Sequence, residues 1–124
     1  MPVKKAEKKT KILIVDDEFD DLYAMKQILD KEDYITFTAT NGAKAMDAIE
    51  ADSFDLILLN IKMPILSGYD VLRLMRSSKN HSLRIVFVSI VPKKEVDMTD
   101  IDGFVQKPFN KETLLEGVRK ALRK

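Results

Sequence analysis

Four apolar runs in this chain each lead into a polar residue that can do chemistry. Residues 12–15 (ILIV) are followed by Asp16-Asp17, residues 56–59 (LILL) by Asn60, residues 85–88 (IVFV) by Ser89, and residues 103–105 (GFV) run on through Gln106 to Lys107. Adjacent carboxylates offer hard oxygen ligands of the kind Mg2+ accepts, because that ion is satisfied by one or two carboxylates and keeps several waters. Asn60 is the odd member of the set. An amide has nearly the shape of a carboxylate, yet it is neutral and a poor nucleophile. One sheet edge would collect all of these residues, provided the apolar runs are neighbouring strands.

The elements that must position them follow from periodicity. Three runs are apolar throughout, which predicts strands buried on both faces, as in a parallel sheet. Residues 34–39 (YITFTA) alternate Ile35, Phe37 and Ala39 with threonines, which suits a strand nearer an edge. Between the strands, Leu22, Met25 and Leu29, then Met46 and Ile49, then Val71, Leu72 and Met75 recur at helical spacing. Leu114, Val118, Ala121 and Leu122 do so near the C-terminus, with Asn110 as N-cap, Glu112 and Glu116 early and Arg119, Lys120, Arg123 and Lys124 late. Glycines 42, 68 and 103 and prolines 64, 92 and 108 punctuate the joins. Strand and helix alternate five times, which predicts an open, doubly wound α/β sandwich. Ligands of such sheets sit at the carboxyl ends of the strands, where the polar residues fall.

Bulk composition narrows the classes. The chain has 124 residues, enough for one core without staples, and its 45% hydrophobic and 33% charged residues form an ordinary globular balance. A formal charge of +1 recommends neither nucleic acid nor an anionic membrane as partner. Cysteine is absent, which excludes disulfides, thiolate metal sites and a cysteine nucleophile. The longest apolar runs are far too short to span a bilayer. Residues 1–10 (MPVKKAEKKT) carry lysines but no apolar stretch, so they are expected to be a solvated lead-in rather than a secretory signal. The domain is expected over residues 11–124. His81, in the polar stretch SSKNHSL, is expected in an exposed loop with no chemical role.

ILIVDDE, LILLNIKMPILSG, IVFVS and VQKPF, in this order, resemble the receiver domain of two-component response regulators. The likeness runs from about Lys11 to the C-terminus. Each motif alone is common; four together after successive strands are specific. The resemblance implies a CheY-like, flavodoxin-like five-stranded parallel sheet in the order 2-1-3-4-5 with helices on both faces. It also implies that Asp17 is a direct Mg2+ ligand and that Asp16 acts directly or through water. Lys107 would meet one phosphoryl oxygen, Ser89 another, and Phe104 falls at the family's switching aromatic. Lys107-Pro108 resembles the family's cis peptide. Taken singly, the aspartates could cap a helix, Lys107 could be a surface lysine and Phe104 a core residue. A cytoplasmic signalling protein, docking with a histidine kinase or a downstream effector, is the implied setting.

Three departures shape the functional expectation. Asn60 stands where the family has its phosphoaccepting aspartate, so the pocket is expected to survive without aspartyl phosphorylation and with Mg2+ weak or absent. Ile90 stands where the family usually has a small residue and is expected to narrow the pocket. The span from Ser89 to Lys107 is about one helical turn short, taking ~3.6 residues per turn, so the fourth helix is expected to be short, distorted or missing. These departures favour a natural, phosphorylation-independent receiver acting as a protein-interaction module, with no enzymatic activity. An ordinary receiver carrying an engineered Asp-to-Asn change at 60 is the first alternative. A Mg2+-dependent phosphohydrolase using Asp16 or Asp17 is the second. No output domain is expected after the last helix, so the chain either acts by docking or is cut from something larger.

Overall fold

Apolar residues without interruption become the central strands, because both of their faces are covered by helices. A computed structural model of the chain describes residues 8–78 and 82–124; His81 and most of the basic lead-in lie outside the described residues. The elements in order are β1 (Lys11–Val15), α1 (Phe19–Lys31), β2 (Ile35–Ala39), α2 (Gly42–Ala51), β3 (Leu56–Leu59), α3 (Gly68–Arg76), β4 (Arg84–Ser89), a 3-10 turn (Lys93–Glu95), β5 (Gly103–Gln106) and α4 (Lys111–Leu122). All strand pairs are parallel and the order is β2-β1-β3-β4-β5. This is the flavodoxin-like order expected from the resemblance.

Alternate side chains of the central strands face opposite layers. Leu13, Val15, Ile57, Leu59, Ile85 and Phe87 pack with Ala45, Ile49, Val71, Leu72 and Met75 of α2 and α3. Ile12, Ile14, Leu56, Leu58, Val86 and Val88 pack with Leu22, Met25, Leu29, Leu114 and Val118 of α1 and α4. The stripe of α2 is carried by Gly42, Ala45 and Ile49, whereas Met46 is only partly buried. In edge strand β2, Ala39 is buried but Ile35 and Phe37 remain substantially exposed, so its alternating pattern overstates the inward face. Phe37 instead meets Phe54 edge to face at 5.4 Å, with Lys11 Nζ over the Phe37 ring at 5.3 Å.

The starts of α2, α3 and α4 are fixed by side chains. Asn41 accepts from Lys44 N, Ser67 forms a reciprocal capping box with Asp70, and Asn110 does the same with Thr113. The β4–β5 crossover has no α-helix, only the single turn Lys93–Glu95. It is nevertheless anchored. Val96 and Ile101 are buried, Arg76 Nη2 donates to Asp100 O at 2.8 Å, and Ile85 N donates to Asp102 Oδ2 at 2.8 Å.

Candidate functional site

Sheet register gathers the polar residues. Val15 pairs with Leu59, so the next residues, Asp16 and Asn60, emerge side by side. The ladder runs on into them: Asp16 N donates to Ala39 O at 3.1 Å and Asn60 N to Val15 O at 2.9 Å. Ser89 pairs with Gln106, and Lys107 N donates back to Ser89 O at 2.8 Å, which aims the lysine across the strand ends. The Lys107-Pro108 peptide is cis.

The side chains form a closed set of bonds. Lys107 Nζ lies 2.8 Å from Asp16 Oδ2 and 2.9 Å from Asp21 Oδ2, and 3.4 Å from Asn60 Oδ1. Asn60 Nδ2 donates to Asp17 Oδ1 at 3.1 Å and to the carbonyl of Lys62 at 3.0 Å. Asp16 Oδ1 accepts from Glu18 N at 2.9 Å, which also turns the chain into α1. Asp16, Asn60, Ser89 and Lys107 are the buried polar side chains among the described residues, and none of their buried atoms lacks a partner. Burial pushes the Asp16 carboxyl above the ordinary carboxylate range, only partly offset by the bonds from Lys107 and Glu18. Burial pulls the Lys107 ammonium down, but the hydrogen bonds and charges of Asp16 and Asp21 outweigh it and hold the group above the usual lysine range.

The expected members do not all join. Ser89 is fully buried at the end of β4, but its hydroxyl accepts from Val91 N at 3.1 Å. Phe104 is partly buried against the α2–α3 side of the core, one residue before Val105, and makes none of these polar bonds. Ile90 corrects an expectation. It is 60% exposed and does not pack into the pocket, because the chain leaves β4 there and turns its side chain to solvent. Asp21 was not singled out from the sequence. An acid in the first turn of a helix has an ordinary role with the helix dipole, and only the fold brings it to Lys107.

Backbone crowding shapes the loop after β3. A Cβ on Gly68 would collide with Asn60 O and lie 2.9 Å from Ile61 Cα, so only glycine lets α3 begin against the strand end. Leu66 N donates to Pro64 O at 2.8 Å around Ile65, whose φ of 69° and full exposure are costly for a β-branched residue.

Mg2+ wants oxygen donors turned toward it at about 2.0–2.1 Å. Asp16, Asp17 and Asn60 supply the right chemical types, but their present partners are nitrogens. The Asn60 amide turns N–H rather than oxygen toward Asp17, and Lys107 takes Asp16. As arranged, these residues do not fit the ion.

Comparison with known proteins agrees with this fold. Residues 12–119 match the family model for the response regulator receiver domain. Sporulation initiation phosphotransferase F of Bacillus subtilis is 29% identical over 117 residues, covering 90% of this chain and 93% of its own length. Transcriptional regulatory protein CpxR of Escherichia coli is 31% identical over 119 residues, 92% of this chain but only 50% of that protein. The chain thus spans about half the length of such transcriptional relatives. Among solved structures, a CheY-like receiver domain protein from Methanospirillum hungatei superposes with a TM-score of 0.85 at 28% identity, covering 94% of this chain and 95% of that one. TrrA of Thermotoga maritima, solved in complex with Mg(2+)-BeF, gives 0.82 at 32% identity over 90% and 98% of the two chains. Among the described residues no helix is long and apolar enough to cross a membrane.

Proposed function

The chain belongs to the response regulator receiver family of two-component signalling, and from that membership we propose that it is a phosphorylation-independent receiver, a pseudo-receiver, acting as a protein-interaction module over residues 11–124. One observation carries the reading. Position 60, at the end of β3, holds a carboxamide whose ends are both engaged: Nδ2 with Asp17 and Lys62 O, Oδ1 toward Lys107. Accepting a phosphoryl group on a side chain at this strand end requires an anionic oxygen to attack phosphorus, and an amide has none. With Mg2+ weak or absent, the charge of an incoming phosphoryl would also lack its usual neutralisation.

What the module offers is a surface of fixed shape. Its partner is a protein of the signalling pathway, a histidine kinase or a downstream effector, met in the cytoplasm and without catalysis by this chain. The shortened crossover is a further departure away from position 60, and it favours a natural origin for Asn60 over an engineered replacement. Incubation with acetyl phosphate and Mg2+, followed by intact-mass measurement, tests the proposal. The mass is expected to stay unchanged, and one added phosphoryl group mapped to the end of β3 would overturn it.

A further inference from the structure

Asp21 is the one member of the cluster that comes from a helix and not from a strand end or the residues after it. It sits in the first turn of α1, its side chain 38% exposed, yet its Oδ2 lies 2.9 Å from the ammonium of a lysine that is almost fully buried. Lys107 is the buried cation of the strand-end cluster, facing Asp16, Asp21 and the neutral Asn60. Among the described residues Lys107 is the buried cation an entering anion would meet, and two carboxylates already hold it. One of them, Asp16, is fixed on β1's end and buried; the other reaches in from the helix at the pocket's margin.

We propose that Asp21 is an autoinhibitory counter-ion: it occupies Lys107 and thereby opposes the entry of phosphoryl anions independently of the residue at position 60. The inference rests on the receiver reading of the pocket but not on Asn60 being its block. Two effects act in the same direction. The Asp21 carboxylate competes for the ammonium's hydrogen bonds, and its negative charge opposes an approaching phosphate.

The test uses the Asn60→Asp variant, which supplies the missing nucleophile. There the new carboxylate attacks the phosphorus of acetyl phosphate; the bond from phosphorus to the acetyl oxygen breaks, and acetate leaves with the electron pair. Phosphorylation with Mg2+ present is followed by intact mass in Asn60→Asp, in Asn60→Asp with Asp21→Asn, and in Asn60→Asp with Asp20→Asn. Asp20 is an exposed acid in the same helical turn and controls for the general field. Removing Asp21 is expected to raise the rate about fivefold, the upper end of what a partly exposed ion pair carries. Rates within about twofold of each other, equal acceleration by Asp20→Asn, or no phosphoryl uptake by any of the three would overturn the inference. Mass gain by the unaltered chain is a separate result and would overturn the pseudo-receiver reading instead.

Discussion

Replacing Lys107 by methionine isolates what the ion cluster contributes. Methionine keeps much of the side-chain volume and removes the charge, leaving Asp16 fully buried with only the Glu18 N–H as partner. Breaking a buried pair from one side costs about 3–5 kcal/mol, because the remaining charge is stranded. The Asp21 half of the cluster is partly exposed and adds only about 0–1 kcal/mol. A loss of about 3 kcal/mol at neutral pH is therefore expected in urea denaturation.

The pH dependence of that loss is more diagnostic than its size. Burial already raises the Asp16 carboxyl, and removing Lys107 takes away bonds and charge that lower it. A carboxyl raised in the folded state contributes stability below its unfolded value and loses it as pH climbs through the folded one. The deficit of Lys107→Met should thus be least in the ordinary carboxylate range and grow toward neutrality, by up to about 1.4 kcal/mol per pH unit. Lys107 itself is raised in the folded chain, so its contribution is whole below the usual lysine range and disappears above it. The gap between the two proteins should accordingly be widest near neutral pH and narrow on both sides. A neutral-pH gap under about 1 kcal/mol, the scale of an exposed pair, would refute the buried-pair reasoning. So would a gap that stays flat between the carboxylate range and neutrality.

Calorimetric titration with Mg2+ should show weak binding by the unaltered chain and tighter binding by Asn60→Asp, since the substitution replaces an N–H donor facing Asp17 with a carboxylate oxygen; equal affinities would mean that position 60 is no part of a metal site. Gly68→Ala should lower stability by about 1–3 kcal/mol, because its Cβ meets backbone atoms of Asn60 and Ile61 that cannot rotate away. Gly103→Ala, whose Cβ would lie 3.3 Å from a Val86 methyl, is the comparison expected to cost little; similar losses for the two would refute the backbone-crowding account.

The sheet was legible because its physics is local in the sequence. Runs such as 12–15 and 56–59 are apolar at every position only where helices cover both faces, and the structure buries every one of those residues. Asn110 announced the last helix because a short polar side chain before an amphipathic pattern satisfies first-turn N–H groups. Edge strand β2 was harder, since the same alternation arises whether a helix covers the inward face or, as at Phe37, the strand runs past it. Periodicity points to Met46 in the stripe of α2, but the buried positions beside Ile49 are Gly42, which lies against Leu66 and Val71, and Ala45, residues that hydrophobicity ranks low. The strand-end residues were found by type and position. Their bonds were not, because which way Asn60 turns its amide depends on Lys62 O, and Asp21 acquires meaning only when the turn after β5 lays Lys107 beside it. Ile65 gave no sign of its positive φ, since the constraint comes from the turn around it.

The pocket and the crossover are separate in sequence, yet their interactions share one character. Every buried side-chain donor and acceptor among the described residues is satisfied from within: Asn60 by Asp17 and Lys62 O, Lys107 by Asp16 and Asp21. The crossover, lacking a helix that could slide, is plugged by Val96 and Ile101 and tied to α3 through Arg76 and Asp100 O. A ligand moves such a system only by as much as it prefers one state over another. For a phosphoryl group to reward a second state here, it would have to displace Asp21 or Asp16 from Lys107. It would also have to repack the buried plugs of the crossover, each worth about 1.5–3 kcal/mol when fully buried. The amide at position 60 offers no covalent bond to offset those losses. On the proposed pseudo-receiver reading, the scaffold is held in one state by its own residues, and its specificity lies in what its exposed surface presents.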